Sequence, residues 1–181
     1  YPIEKVRTGL ASLPFPLPNN DAVSVARGIM TTDTVHKIAE ATIGAGPARV
    51  VGVAKGVGMI EPNMATLITM AFTDAAVDGD ALDAIWRRVI DRTFNCVSVD
   101  TDTSTSDTAI VLASGAAGEV NLAELEAALE HVTQSLTKQV ARDGEGAETL
   151  IEVCVDQARD GEQAKTVAKA IVNSPLVKTA V

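Results

Sequence analysis

The feature that most limits how this chain folds is a long stripe of apolar residues in its second half. Asn121-Leu122-Ala123-Glu124 resembles a capping box, which is typical of the first turn of a helix. After it, large apolar residues recur at helical spacing until Gly144, where the helix is predicted to end: Leu125, Leu129, Val132, Leu136 and Val140. A helix with one apolar face has to pack that face against a second layer. The rest of the chain therefore has to supply that layer.

Strands and further helices are both predicted for the remaining sequence. Runs rich in Val and Thr predict strands at residues 49–53, at Leu67–Phe72, as a pair within Asn95–Ala113, and at Leu150–Val155. Helical periodicity predicts helices at Ile3–Leu13, after an Asp21 cap with Val25, Ala26, Ile29 and Met30 on one face, at Asp80–Arg92, and at Gln163–Val172. The prolines of the segment 14–20 predict a loop between the first two helices. Because strands come in pairs between helices, we predict an α+β layered sandwich rather than a doubly wound parallel sheet.

The composition argues against several classes of function. The chain has 181 residues, 46% of them hydrophobic, which is enough for one main domain with its own core. A net charge of −9, no basic run and an aromatic content of 3% disfavour nucleic acids and anionic membranes as partners. Cys96 and Cys154 lack the spacing of a zinc site or a disulfide framework, and no apolar run approaches the roughly 20 residues that cross a bilayer. We therefore expect a cytoplasmic protein without a bound metal.

The densest unusual segment is rich in glycine and runs Lys55-Gly56-Val57-Gly58-Met59-Ile60-Glu61-Pro62-Asn63-Met64-Ala65-Thr66. Its glycines permit the close approach of a ligand, and Lys55 is suited to hold an anionic group. The other interpretation, which the spacing alone favours, is a loop between two strands with a surface lysine. The GxxxxGK[ST] order of a phosphate-binding loop is absent.

A polar run from Asp100 to Asp107 resembles a calcium-binding loop only in part. Thr105 stands where such a loop has its glycine, and Val111 stands where it has its glutamate. On a strand, alternate residues of the run would share one face: Asp100, Asp102, Ser104 and Ser106. We therefore predict a polar wall or a hydrogen-bonded turn at this run rather than a metal site.

Few residues are available for a nucleophile that depends on histidine. His131 lies on the long predicted helix and His36 lies beside the Thr31–Thr34 run, so we expect both at the surface. Asp143-Gly144-Glu145-Gly146 follows the long helix. This segment fits either a helix end with its turn or a carboxylate that reaches a ligand ammonium, and the residues leave both open.

The segment from Lys55 to Thr66 resembles the self-cleavage segment of the ornithine acetyltransferases, which are the glutamate N-acetyltransferases of arginine biosynthesis. The resemblance extends to other segments in the same order: Ile29–Thr34, Asp100–Thr108, Asp143–Gly146 and Asn173–Ala180. Essentially the whole chain is covered, and the set is highly specific. The resemblance implies an α+β fold that is a layered α/β sandwich of the N-terminal-nucleophile-like, ornithine acetyltransferase type.

The resemblance also implies that the precursor cleaves itself between Ala65 and Thr66. Residues 1–65 would then end an N-terminal α chain, and residues 66–181 would begin a β chain. Thr66 would become both the first residue of the β chain and the nucleophile. A free α-amine has a pKa of about 7.7–8.0, so it can accept the proton of the hydroxyl on the same residue. Cleavage would therefore create its own catalytic base.

By the same resemblance, Thr66 takes the acetyl group of N2-acetylornithine as an ester and passes it to glutamate. Thr31, Lys55, Thr66 and Glu145 match positions of the family that contact the substrate. Lys55 suits the α-carboxylate that donor and acceptor share, and Glu145 suits the ornithine ammonium. No cofactor is implied, with acetyl-CoA as an alternative acetyl donor. The two chains from one precursor are expected to assemble as an α2β2 heterotetramer.

Two parts of the family's pattern are missing from this sequence, which resembles the central part of the acetyltransferase. The Thr-Gly pair of the oxyanion hole is expected upstream of Tyr1, and the family continues beyond Val181 with further substrate contacts. Because the loss of one oxyanion donor costs roughly a hundredfold to a thousandfold in rate, we expect the chain to be inactive on its own. Two other functions stay open: a related self-processing amidohydrolase or aminopeptidase, and a binding module without catalysis.

Overall fold

The computed structural model describes residues 2–14, 21–60, 67–102 and 104–181. The elements follow in the order α1 (Ile3–Ala11), α2 (Ala22–Gly28), β1 (Lys37–Thr42), β2 (Arg49–Lys55), β3 (Ile68–Ala76), α3 (Gly79–Arg92), a 3-10 turn (Phe94–Cys96), β4 (Thr108–Glu119), α4 (Leu122–Arg142), α5 (Gly161–Val172) and α6 (Pro175–Lys178). The predicted α+β class is confirmed. No helix within the described ranges combines the length and the hydropathy needed to span a bilayer.

The four strands form one sheet in the order β1-β2-β3-β4. β1, β2 and β3 pair antiparallel, whereas β4 runs parallel to β3 after a crossover that contains α3. The register sets Lys37 opposite Ala54 and Lys55 opposite Ile68. The end of β2 therefore lies beside the beginnings of β1 and β3, and this end of the sheet carries the candidate site.

Helix α4 packs its apolar stripe on the sheet next to α3. All five predicted stripe residues are buried: Leu125, Leu129, Val132, Leu136 and Val140. Gly52 on β2 allows this close approach, since a Cβ there would lie 2.6 Å from Val132 and 2.9 Å from Leu136. Helix α3 adds Leu82, Ile85, Trp86, Val89 and Ile90 to the same core. Burial of each large apolar side chain contributes about 1.5–3 kcal/mol.

The helix starts follow from local sequence. The side chains of Asp21, Asp78, Asn121 and Asp160 each accept hydrogen bonds from amides in the first turn of the helix that follows. The predicted caps Asp21 and Asn121 are confirmed. Of the apolar face predicted for α2, only Ala26 is fully buried.

Two strand predictions are wrong. Asn95–Ala113 contains the end of the 3-10 turn and the start of a single strand, β4, instead of a strand pair. Between them, the described residues 97–102 and 104–107 form a polar segment that lies in no helix or strand. In the polar segment the carboxylate of Asp100 accepts the amides of Met59 and Ile60, so side chains replace a strand ladder. Leu150–Val155 pairs with no strand in the described part of the chain and is therefore not a strand.

One strand is missing from the sequence prediction, and one predicted loop is largely untested. β1 has the sequence KIAEAT, which lacks the Val-rich composition of β2. The predicted proline loop lies outside the described residues after Pro14.

Candidate active site

A buried ion trio, formed by Asp33, Lys37 and Asp143, lies where β1 begins. The Lys37 ammonium donates to Asp33 Oδ1 at 2.7 Å, to Asp143 Oδ2 at 2.6 Å and to the carbonyl of Val35 at 3.4 Å. The Lys37 and Asp33 side chains are 0% exposed and that of Asp143 is 5% exposed. Burying charges is costly unless they are paired and hydrogen-bonded. The trio meets that condition with every ammonium hydrogen used.

The electrostatics of the ion trio keep both carboxylates ionised. Burial by itself would raise the pKa of Asp33, but hydrogen bonds from Lys37 and from the amides of Gly56 and Thr31 hold that pKa below its ordinary value. Burial acts in the same direction on Asp143, yet the pKa of Asp143 is lowered overall because Lys37 and Thr34 donate hydrogen bonds to it.

Asp33 also holds the backbone at the start of the glycine-rich segment. Its Oδ1 accepts the amide of Gly56 at 2.7 Å, and its Oδ2 accepts the amide of Thr31 at 3.2 Å. Gly56 has a φ of 151°, which residues with a side chain rarely adopt. The turn that follows Lys55 therefore depends on a glycine and on a buried carboxylate.

Two of the predicted substrate residues, Thr31 and Lys55, are in contact. Lys55 Nζ donates to Thr31 Oγ1 at 3.3 Å, and Lys55 is only 6% exposed. No carboxylate of the described residues forms an ion pair with this ammonium. The surface lysine expected from one interpretation of the segment is therefore wrong. A nearly buried ammonium beside a hydroxyl is suited to receive an anion.

Glu145 lies against the same glycine-rich turn. Its amide donates to the carbonyl of Val57 at 2.7 Å. Its carboxylate is close to Gly58, where a Cβ would lie 3.1 Å from Glu145 Oε2 and 3.6 Å from Asp100 Oδ2. The structure therefore places all three predicted substrate residues that it describes on or beside the turn that follows β2.

The predicted nucleophile and scissile bond, Thr66 and Ala65, lie outside the described residues. The next residue, Leu67, is described, and Asp107 Oδ1 accepts its amide at 2.8 Å. Asp107 Oδ2 is buried and has no hydrogen-bond partner among the described residues. Burial raises the pKa of Asp107, although the Leu67 amide and the charge of Lys55 act against the rise.

The other residues considered from the sequence have ordinary surroundings. His131 is exposed, as predicted, and His36 is partly buried. On the two described sides of Thr103, side chains of the polar run accept hydrogen bonds from nearby amides: Asp100 from Asp102 at 3.1 Å and Ser104 from Ser106 at 3.1 Å. In the part of the chain that the structure describes, no cluster of His, Cys, Asp and Glu side chains is arranged to hold a metal ion.

The sequence did not identify Lys37 or Asp107 as site residues, and it did not identify Asp33 as the partner of Lys37. One signal was available for the pair of Lys37 and Asp33. Asp33 and Lys37 stand four residues apart just before an apolar segment, and a lysine at the start of a buried strand needs a counter-charge. For Asp107 the run of alternating polar residues gave no indication of its partner.

Comparisons with known proteins find similarity along the whole chain. The model of the ArgJ family matches residues 1–181. The chain is 59% identical to "Arginine biosynthesis bifunctional protein ArgJ 2" of Nostoc sp. and 55% identical to "Glutamate N-acetyltransferase Oat2" of Streptomyces clavuligerus, each over 181 residues. Both alignments cover 100% of this chain and 46% of the relative. The chain thus spans less than half the length of these curated relatives.

A solved structure is also similar. The "Arginine biosynthesis bifunctional protein argJ" of Bacillus halodurans matches with a TM-score of 0.55 and 42% sequence identity, over 57% of this chain and 52% of that chain. This similarity confirms the predicted layered fold of the N-terminal-nucleophile type.

Proposed function

The chain belongs to the ArgJ family, as its resemblance to the ornithine acetyltransferases predicted, and from that membership we propose that the gene product carrying it transfers the acetyl group of N2-acetylornithine to glutamate. In this proposal the protein is an acyltransferase of arginine biosynthesis. Because the chain spans 46% of the relatives' length, the activity is proposed for the full-length gene product and not for these residues alone.

One observation carries the proposal: the Lys55 ammonium is almost buried, and the Thr31 hydroxyl at 3.3 Å is its hydrogen-bond partner among the described residues. Such an ammonium has lost most of its contact with water, and few protein groups compensate for that loss. An anion that enters the site is therefore bound favourably. N2-acetylornithine and glutamate both carry an α-carboxylate. One anion site beside Thr31 and Lys55 therefore serves the donor and the acceptor in turn.

Glu145 is proposed to contact the side-chain ammonium of ornithine. Its amide is tied to the Val57 carbonyl at 2.7 Å, and its carboxylate lies beside Gly58, where no side chain blocks the approach. A carboxylate there attracts the cationic donor and repels the side-chain carboxylate of glutamate. Glu145 is thus expected to contribute more to donor binding than to acceptor binding.

Thr66 is proposed as the nucleophile after cleavage of the Ala65–Thr66 bond frees its α-amine. The amine accepts the hydroxyl proton, the Thr66 oxygen attacks the acetyl carbonyl, and the proton passes to the departing ornithine amine. The amine of glutamate then attacks the acetyl ester, and its proton returns to the Thr66 oxygen as N-acetylglutamate leaves. Both half-reactions balance without a cofactor. Acetyl-CoA is proposed as an alternative acetyl donor.

The proposal includes an assembly and a location. Residues 1–65 would close the α chain and residues 66–181 would open the β chain, with an α2β2 heterotetramer in the cytoplasm. The net charge of −9 supports the absence of nucleic-acid and membrane partners.

The first test is the intact mass of the full-length gene product under denaturing conditions, compared with its Thr66→Ala and Thr66→Ser variants. We expect two fragments that meet at Ala65–Thr66 in the wild type and one uncut chain in Thr66→Ala. Thr66→Ser should retain partial cleavage and transfer, because it keeps both the hydroxyl and the amine. An uncut wild-type chain would contradict the mechanism, since Thr66 would then have no free amine.

The second test measures acetyl transfer directly, with labelled N2-acetylornithine and with or without glutamate. We expect N-acetylglutamate to form only when glutamate is present. Release of acetate at the same rate without glutamate would support the hydrolase alternative instead. Lys55→Ala should raise the KM of both substrates, whereas Lys138→Ala, which removes an exposed lysine paired with Glu152, should leave both KM values unchanged.

A further inference from the structure

We propose that Lys37 is a positioning residue whose buried ammonium sets the spacing of Thr31, Lys55 and Glu145, and thereby the affinity of the site for its substrates. The inference rests on the proposed acetyl transfer. It concerns a residue that contacts none of the proposed substrate groups and acts through the two carboxylates that it holds.

The first step of the argument is that Lys37 joins parts of the chain that are far apart in sequence. Asp33 precedes β1, and Asp143 follows the last residue of α4. The two carboxylates meet on one ammonium at 2.7 and 2.6 Å, although Asp143 lies 106 residues from Lys37. Since all three side chains are almost completely buried, neither carboxylate can exchange its partner for water without opening the structure.

The second step leads from Asp33 to two of the substrate residues. The Asp33 carboxylate accepts the amide of Thr31 itself and the amide of Gly56, the residue bonded to Lys55. A shift of this carboxylate would therefore move the Thr31 backbone and the end of β2. The contact that such a shift would alter first is the one between Thr31 Oγ1 and Lys55 Nζ.

The third step leads from Asp143 to Glu145. Thr34 donates both its amide, at 3.1 Å, and its hydroxyl to the Asp143 carboxylate. Two residues later, Glu145 donates its amide to Val57, which follows Gly56. Hydrogen bonds and the backbone together therefore form a closed circuit. Hydrogen bonds join Lys37 to Asp33, Asp33 to Gly56, Val57 to Glu145, and Asp143 to Lys37, and the chain itself joins Gly56 to Val57 and Asp143 to Glu145.

The charges of the ion trio decide which variant is informative. One ammonium faces two carboxylates, so Asp143→Asn leaves a balanced pair of Lys37 and Asp33. Lys37→Met would instead leave two buried carboxylates without a cation. The resulting loss of stability would be hard to separate from an effect on substrate binding. Asp143→Asn is therefore the main test variant, and Thr34→Val, which removes only the hydroxyl that contacts Asp143, is a milder second one.

The experiment measures kcat and KM for N2-acetylornithine and for glutamate in the full-length enzyme. A displacement of about 1 Å in a site can cost roughly a hundredfold, so we expect Asp143→Asn to raise the KM for N2-acetylornithine about tenfold. The KM for glutamate should rise by a smaller factor, because Asp143 leads to Glu145, which is expected to contribute more to donor binding. We expect kcat to stay within about threefold, because the acetyl ester chemistry at Thr66 is unchanged. Thr34→Val should raise KM about twofold to fivefold, through the loss of one hydrogen bond to a carboxylate.

The matched control is Glu126→Gln, the same change of an acid to its amide at a carboxylate paired with Arg88 and Arg92 between α3 and α4. It should lower stability without a change in KM. Unchanged KM values in Asp143→Asn and Thr34→Val would overturn the inference while leaving the acetyl transfer intact. An equal rise of KM in Glu126→Gln would overturn it as well, since the effect would then be general. A wild-type enzyme that transfers no acetyl group would overturn the proposed function together with the inference.

Discussion

Replacing Lys37 by methionine is the most severe single test of how this fold is held together. Methionine has nearly the length of lysine, so the change removes the charge and the three donated hydrogen bonds with little loss of volume. The carboxylates of Asp33 and Asp143 would then be buried without their cation. Removing one partner of a buried ion pair costs about 3–5 kcal/mol.

That cost is large relative to the whole stability of a domain, which is about 5–15 kcal/mol. Because Lys37 forms ion pairs with two carboxylates at 2.7 and 2.6 Å, we expect the upper part of the range, about 4–5 kcal/mol.

The pH dependence of the stability should also change sign in the Lys37→Met variant. In the wild type the pKa values of Asp33 and Asp143 are held below the ordinary value, so their contribution is present above that value and lost as the pH falls through the folded-state pKa. Without Lys37 burial dominates and raises these pKa values, so the variant should recover stability as the pH falls from 7 towards 5.

The assay is urea unfolding of the full-length protein and its Lys37→Met variant, followed by circular dichroism at both pH values. Arg87→Met is the control, since it breaks an exposed pair with Asp83 whose side chains are 77% and 59% exposed. An exposed pair of this kind contributes little to stability, because water screens both charges. A loss in Lys37→Met no larger than in Arg87→Met, or a deficit that grows at lower pH, would refute the reasoning.

Three further changes test the packing and the surface charges, each by urea unfolding. Gly52→Ala should destabilise the protein by about 1–3 kcal/mol, because the new Cβ would lie 2.6 Å from Val132. Trp86→Phe should cost about 1–3 kcal/mol, since the carbonyl of Ala109 loses the indole donor at 3.2 Å. Hydrogen bonds from two arginines lower the pKa of Glu126 to about 2, so stability should fall between about pH 4.5 and 2, and Glu126→Gln should remove that part of the acid dependence.

The sequence predicts those parts of the fold whose information is local. The stripe from Leu125 to Val140 and the helix at Asp80–Arg92 are recognisable because each repeats its apolar residues every three or four positions. The caps at Asp21 and Asn121 act on amides two or three residues away. For such elements the residues that decide the structure stand next to one another in the chain.

The wrong or missing predictions concern elements whose structure depends on residues far apart in the sequence. The polar segment before β4 has the Val and Thr content of a strand. It is not a strand because the Asp100 carboxylate accepts hydrogen bonds from the amides of Met59 and Ile60, which are about forty residues away in sequence. β1 has weak strand propensity and forms because β2 pairs with it. The ion trio depends on the pairing of Lys37 with Asp143, which lies 106 residues away, so no local sequence pattern predicts it.

The glycine-rich segment shows why residue type alone left two interpretations open. Gly56 is required by its φ of 151°, and Gly58 meets a need for little side-chain volume, since a Cβ there would lie 3.1 Å from Glu145 Oε2. Both requirements hold whether or not a ligand binds, so the glycines by themselves do not indicate a binding site. The evidence for a ligand is Lys55, whose ammonium is almost buried without a carboxylate partner among the described residues. In the same part of the fold, Lys37 is buried and fully paired, so of these two lysines one has the surroundings of a structural cation and the other those of an anion site.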